Sequence, residues 1–109
     1  AYYRANIGGG GNIVNAAIVG CESATKKIAN DKYVNISSDL LTVTFKKKVK
    51  GYACCGYRDF TTASTATMTK VSGRRAYSVI TWYFEANVGD TLVFSDLSQS
   101  GYSIICIAA

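Results

Sequence analysis

Histidine and proline are both missing from this chain of 109 residues. Without an imidazole, the commonest general base, the usual activator of a serine or cysteine nucleophile and a frequent metal ligand are all absent, which moves weight from catalysis to binding or structure. Without proline, nothing interrupts the segments that read as strands. Long apolar runs are also lacking: none approaches the ~18 residues that cross a bilayer as a helix, so no transmembrane helix is expected. The chain opens at Ala1 without a signal-like segment, as a processed mature protein or a domain cut from a longer one would. Metal-binding spacing is missing too, because the cysteines form no C-x2-C pair and no H-x3-H pair exists. No catalytic residue, metal or cofactor is assigned.

The residues that are present point to one all-β domain spanning residues 1–109. A chain of this size holds a single two-layer core, and 49% hydrophobic against 17% charged residues is the balance of a folded domain. The densest apolar sequence lies between Ala76 and Ala109, where AYSVITWYF and GYSIICIA flank VGDTLVFS. Such runs of Val, Ile, Tyr, Phe and Trp belong to strands at the centre of a sheet. Leu41, Val43 and Phe45 alternate with Thr42 and Thr44 as a half-buried strand. KYVNIS, GYACCGY and the threonine-rich stretch ending at Lys70 add further strands, separated by Ser37-Ser38-Asp39, Ser72-Gly73 and Asn87-Val88-Gly89-Asp90. Some eight short strands at this spacing predict an antiparallel two-sheet sandwich of jelly-roll type. Residues 1–11 read as an aromatic first strand or arm followed by a flexible glycine joint, Gly8 to Gly11. The sequence after this joint, NIVNAAIVG, lacks the Gly-Lys-Ser/Thr of a phosphate loop. Glu22 to Asn30 reads as weakly helical or as a polar connection.

The net charge of +5 is concentrated at Lys46, Lys47, Lys48 and Lys50 and at Arg74 and Arg75. Neighbouring side chains of a strand point to opposite faces, so the lysine run is read as a solvated strand end or a protected edge, not as one anion-binding patch. Aromatics are not interleaved with the basic residues, and nucleic acid is not expected as a partner. Cys21, Cys54, Cys55 and Cys106 suit an extracellular setting, with bridges from Cys54 or Cys55 to Cys21 or Cys106; Cys106, within SIICIA, fits equally well as a buried free thiol. Glu22, Asp31, Asp39, Asp59, Glu85, Asp90 and Asp96 are the carboxylates available for glycoside chemistry. Several stand in turns, where Asp is expected to bind its own backbone.

The order LTVTFKKKVKGYACCGY, then TKVSGRRA, YSVITWYFEANVGDTLVFS and GYSIICIA resembles the end of a C1q/TNF-type jelly roll. The likeness covers Asp31 to Ala109, with Val88-Gly89-Asp90-Thr91-Leu92 turning the chain between its last long strands. Related short knobs end phage tail fibres and bacterial collagen-like surface fibres, usually as trimers. Cupredoxins share a GDTLVF-like strand, but their copper ligands include the histidines this chain lacks. The resemblance implies an extracellular or virion-surface structural module, a homotrimer binding a cell-surface glycan or protein receptor. The strand YSVITWYF carries large apolar groups on both faces: Tyr77, Val79 and Tyr83 on one, Ile80, Trp82 and Phe84 on the other. One face fills the core. The other, with Tyr77, Val79 and Tyr83, is covered by a neighbouring subunit or by a loop or Tyr2-Tyr3 of the same chain. Tyr57, Arg58, Asp59, Gln99, Ser100 and Tyr102 are candidate contact residues, being types common in adaptable recognition loops. The alternatives are a small secreted basic toxin held by disulfides, and a filament subunit donating its N-terminal strand to a neighbour's sheet.

Overall fold

The computed structural model describes residues 1–19, 26–56, 65–71, 79–94, 97 and 101–109. These residues form strands and turns without a helix. The strands are β1 (Tyr2–Gly8), β2 (Asn12–Val19), β3 (Val34–Ile36), β4 (Thr42–Phe45), β5 (Val49–Gly56), β6 (Thr67–Lys70), β7 (Val79–Ala86), β8 (Thr91–Val93) and β9 (Tyr102–Ala108). One sheet of six strands runs in the order β2-β1-β9-β5-β7-β6, and a second of three runs β3-β4-β8. Every strand pair is antiparallel. The protein is the two-sheet β-sandwich that the strand spacing predicts. The first and last strands lie side by side, Tyr3 opposite Cys106 and Ile7 opposite Tyr102.

Period-two alternation decides which residues face inward. From the large sheet come Tyr3, Ala5, Ile7, Val49, Ala53, Phe84, Ile104 and Cys106; from the small sheet come Val34, Val43, Phe45 and Leu92, all of them buried. Aromatic pairs tie the layers together. Phe45 of β4 meets Phe84 of β7 with ring centroids 5.2 Å apart, and Phe94 stacks on Tyr102 at 3.6 Å and 4°. Packing within the large sheet is close enough at one point to require glycine. A Cβ on Gly51 would overlap the Ile105 carbonyl oxygen and the Cys106 Cα, so β5 and β9 approach each other there as only glycine permits.

The glycine run after β1 is a hairpin tip instead of a flexible joint. Gly10 and Gly11 have φ of 86° and 81°, and the Gly11 amide donates to the Gly8 carbonyl at 3.2 Å. Residues 26–30, read from sequence as weak helix or polar connection, lie along the β2 edge: the Ala16 amide donates to the Lys26 carbonyl at 2.7 Å. Turns consume the carboxylates as expected. Asp31 accepts from the Tyr33 amide at 2.7 Å, Asp39 from the Leu41 amide at 3.0 Å, and Asp90 from the Asn87 amide at 2.8 Å. The Ser37 hydroxyl and the Leu41 amide hold the Asp39 carboxyl below its usual range. Leu40 stands in the left-handed region at φ 64° with its side chain in the core. That geometry costs roughly 1–3 kcal/mol in a non-glycine residue and is secured by Tyr102, whose hydroxyl donates to the Leu40 carbonyl at 2.6 Å.

Tyr102→Phe keeps the ring and leaves that buried carbonyl without its donor, at an expected cost of about 1–3 kcal/mol, read as a lower denaturant midpoint with an unchanged m-value. Burial, more than the neighbouring Asp31, pushes the Cys106 thiol from 9.0 up to about 12. Burial likewise raises the phenols of Tyr3 and Tyr102. The unfolded chain therefore releases these protons at lower pH than the native one, and stability declines as pH rises. The decline begins near 9 and continues to about 12 for Cys106, at about 1.4 kcal/mol per pH unit for each group involved. Thermal melts between pH 8 and 11 are expected to show it, with a shallower slope for Cys106→Ala; equal slopes would contradict the assignment.

Candidate functional site

The two sheets differ on the faces they turn away from the core. The small sheet presents Asn35, Thr42, Thr44, Thr91 and Val93, a mainly polar surface. The large sheet presents an apolar stripe instead. Register places Arg4, Ile105, Tyr52, Tyr83 and Thr69 in one row across five strands. Ile107, Lys50, Glu85 and Thr67 form a second row on the same face, and Ser103, Cys54 and Thr81 a third. Tyr52, Ile105 and Ile107 remain 48%, 41% and 45% exposed. Tyr52 and Tyr83 meet edge to face with centroids 5.6 Å apart. Between Tyr2, Lys50, Tyr52, Tyr83, Ile105 and Ile107 lies a groove of about 420 Å³.

Polar groups border this stripe in defined positions. The Tyr83 hydroxyl donates to Glu85 Oε1 at 3.0 Å. Desolvation, followed by that carboxylate, raises the Tyr83 phenol above its usual value. At the other end Asn6 donates to Asn15 at 2.8 Å, and Ser103 donates to Asn6 at 2.7 Å. A separate polar cleft of about 490 Å³ lies by Lys48, Thr65, Asn87 and Asp90. Two of its side chains already serve the backbone, Thr65 Oγ1 accepting from the Thr91 amide and Asp90 from the Asn87 amide.

Of the residues expected to form a subunit interface, Tyr83 lies in the stripe. Val79 begins β7 opposite Gly56, on the odd-numbered register that Tyr83 shares. The side chain of Val79 and all of Tyr77 lie outside the described residues, as do the loop candidates Tyr57, Arg58, Asp59, Gln99 and Ser100. Tyr102 is placed differently from its expected role. It opens β9, is 3% exposed and packs on Phe94, so its hydroxyl serves Leu40 and not a ligand. Tyr2 and Tyr3 do not cover the outer face of β7. They belong to β1 in the same sheet, Tyr3 buried and Tyr2 bordering the groove, so the N-terminal strand extends the stripe. Sequence reasoning missed Tyr52, Ile105 and Ile107. Alternation within YSIICIA held the signal: with Tyr102, Ile104 and Cys106 inside, Ile105 and Ile107 must point out.

The lysine run does not make one patch. Lys46 donates to Asn30 at 3.0 Å, the Lys47 ammonium sits 5.1 Å from the Tyr33 ring centre, and Lys50 points to the large sheet's outer face. Cys54 and Cys106 are free thiols. Register separates Cys55, opposite Tyr102, from Cys106, opposite Gly51. Four residues of strand are roughly 13 Å, well beyond the ~7 Å limit for bridging. Cys54 points to the other face. The expected bridge from either residue to Cys106 is thus overturned, and Cys21 lies outside the described residues. No group of three or more potential metal ligands occurs among the described residues, nor does any helix long and apolar enough to cross a membrane. Compared with known proteins, the chain matches no family model, no curated protein and no solved structure.

Cys54 is half-buried on the outer face and Cys106 fully enclosed. In dilute native protein, iodoacetamide followed by peptide mapping is expected to modify Cys54 while Cys106 stays unmodified until denaturant is added. Modification of Cys106 at the rate of Cys54 would contradict the packing.

Proposed function

We propose that this protein is a non-enzymatic structural and recognition module that works by assembling with copies of itself. The form favoured is a homotrimeric knob at a fibre tip, on a virion or cell surface, binding a glycan or protein receptor. The observation that carries the reading is the exposed stripe of Tyr52, Ile105 and Ile107 on the large sheet, where the small sheet shows mainly threonine and asparagine, with Val93. Contiguous exposed apolar surface is characteristic of interfaces, and tyrosine is enriched there. The occupant we assign is a second copy of the chain, because the stripe carries opposite charges on its two flanks, Arg4 on β1 and Glu85 on β7. The likeness to C1q/TNF-type knobs, drawn from the strand sequence, supplies the trimer and the extracellular setting.

The toxin and donor-strand alternatives gain less. Free thiols at Cys54 and Cys106 remove part of the disulfide support for a toxin. The segment a donor arm would use is already paired on both edges within its own sheet.

Light scattering on the purified chain is expected to give a trimer that dissociates on dilution. Ile105→Lys, at an exposed position, is expected to give a folded monomer whose melting temperature matches that of dilute wild type. A wild-type chain that stays monomeric at high micromolar concentration would overturn the proposal.

A further inference from the structure

We infer that Glu85 of one copy pairs with Arg4 of the next, and that this contact fixes the register in which copies assemble. The inference rests on the self-association proposed above and names the residues that give it direction. Three charged side chains fall on the outer face of the large sheet among the described residues: Arg4, Lys50 and Glu85. Arg4 is the anomalous one. It stands between Ala17 on β2 and Ile105 on β9, neither of which carries a side-chain acceptor. Its Nε is buried and donates no hydrogen bond within the chain among the described residues.

The side chain as a whole is half-buried on an outward-facing strand position, and a guanidinium matches the planar, bidentate geometry of a carboxylate. Glu85 is the only carboxylate among the described residues of that face. It is exposed, and its Oε1 is held by the Tyr83 hydroxyl. Lys50 stands opposite it on β5, and because Glu85 is exposed its carboxylate can be reached by a second molecule.

Within one molecule the pair cannot meet. Strands β9 and β5 lie between β1 and β7, and three inter-strand steps separate the two residues by about 14 Å. Between molecules the arrangement can close head to tail: an apolar stripe with a cation on one flank and an anion on the other lets each copy offer its cation flank to the anion flank of the next, the heterologous contact that a trimeric ring repeats. A docking that slips the register would bury the Arg4 charge against apolar groups without a carboxylate, which penalises the wrong arrangement more than it strengthens the right one.

A charge-reversal cycle tests this by sedimentation equilibrium at low salt, with thermal melts to check folding. Arg4→Glu and Glu85→Arg are each expected to weaken self-association at least about tenfold, and the double variant to recover to within a few-fold of wild type. Glu85→Gln, neutral and exposed, is the milder companion that folds irrespective of Arg4 and should also weaken association. If wild type associates while the folded reversals dissociate no more readily than it does, or the double variant fails to recover, the pairing is wrong and self-association stands. If folded wild type never associates, the underlying proposal falls and the pairing with it.

Discussion

Everything in this molecule depends on β9 being hydrogen-bonded on both edges, to β1 on one side and β5 on the other. A strand so placed cannot rotate to hide an inconvenient side chain, because its ladder fixes alternate residues to opposite faces. With Ile104 and Cys106 inside, Ile105 and Ile107 are committed to the surface. The same lock passes along the register to Tyr52 on β5 and Tyr83 on β7. The apolar stripe is therefore the outer half of the alternation that builds the core. It cannot be removed by repacking, only covered.

The architecture was legible because period-two patterning is strict where one face is buried. The alternation of Val43 and Phe45 with Thr42 and Thr44, and of Ala66 and Met68 with Thr65, Thr67 and Thr69, survives intact in the burial of β4 and of the β6 segment. The absence of proline and the regular turn signals pointed to the antiparallel sandwich, with some eight strands expected against nine among the described residues. The Asn87-Val88-Gly89-Asp90 turn is where it was expected, with Gly89 at φ 90° and the Asp90 amide returning to Asn87 at 3.0 Å.

The site was harder to read, and the reasons are physical. Period two shows that β7 and β9 are apolar on both faces, but not which face meets the other layer. That depends on sheet order, a property of distant pairings. Tyr102 illustrates the cost: beside Gln99 and Ser100 it resembles a recognition residue, yet the partner that defines it, Leu40, is 62 positions away. Gly8 to Gly11 misled in a similar way, because the same glycines that loosen a linker also permit the positive φ of a hairpin. Cys54 and Cys55 suggested bridging until the register set Cys55 opposite Tyr102, four residues along β5 from the position that faces Cys106.

The antiparallel pairing of β1 with β9 has an architectural consequence. Because Tyr3 faces Cys106, the chain enters and leaves the sandwich on adjacent central strands and at the same pole, where Ala109 donates to the Lys48 carbonyl at 3.0 Å. A shaft or cargo joined to either terminus would emerge from that one pole, leaving the glycine hairpin at the far end clear of the attachment. Load applied through both ends would also peel two neighbouring strands apart one hydrogen bond at a time, whereas load through one end would shear a strand against both its partners at once.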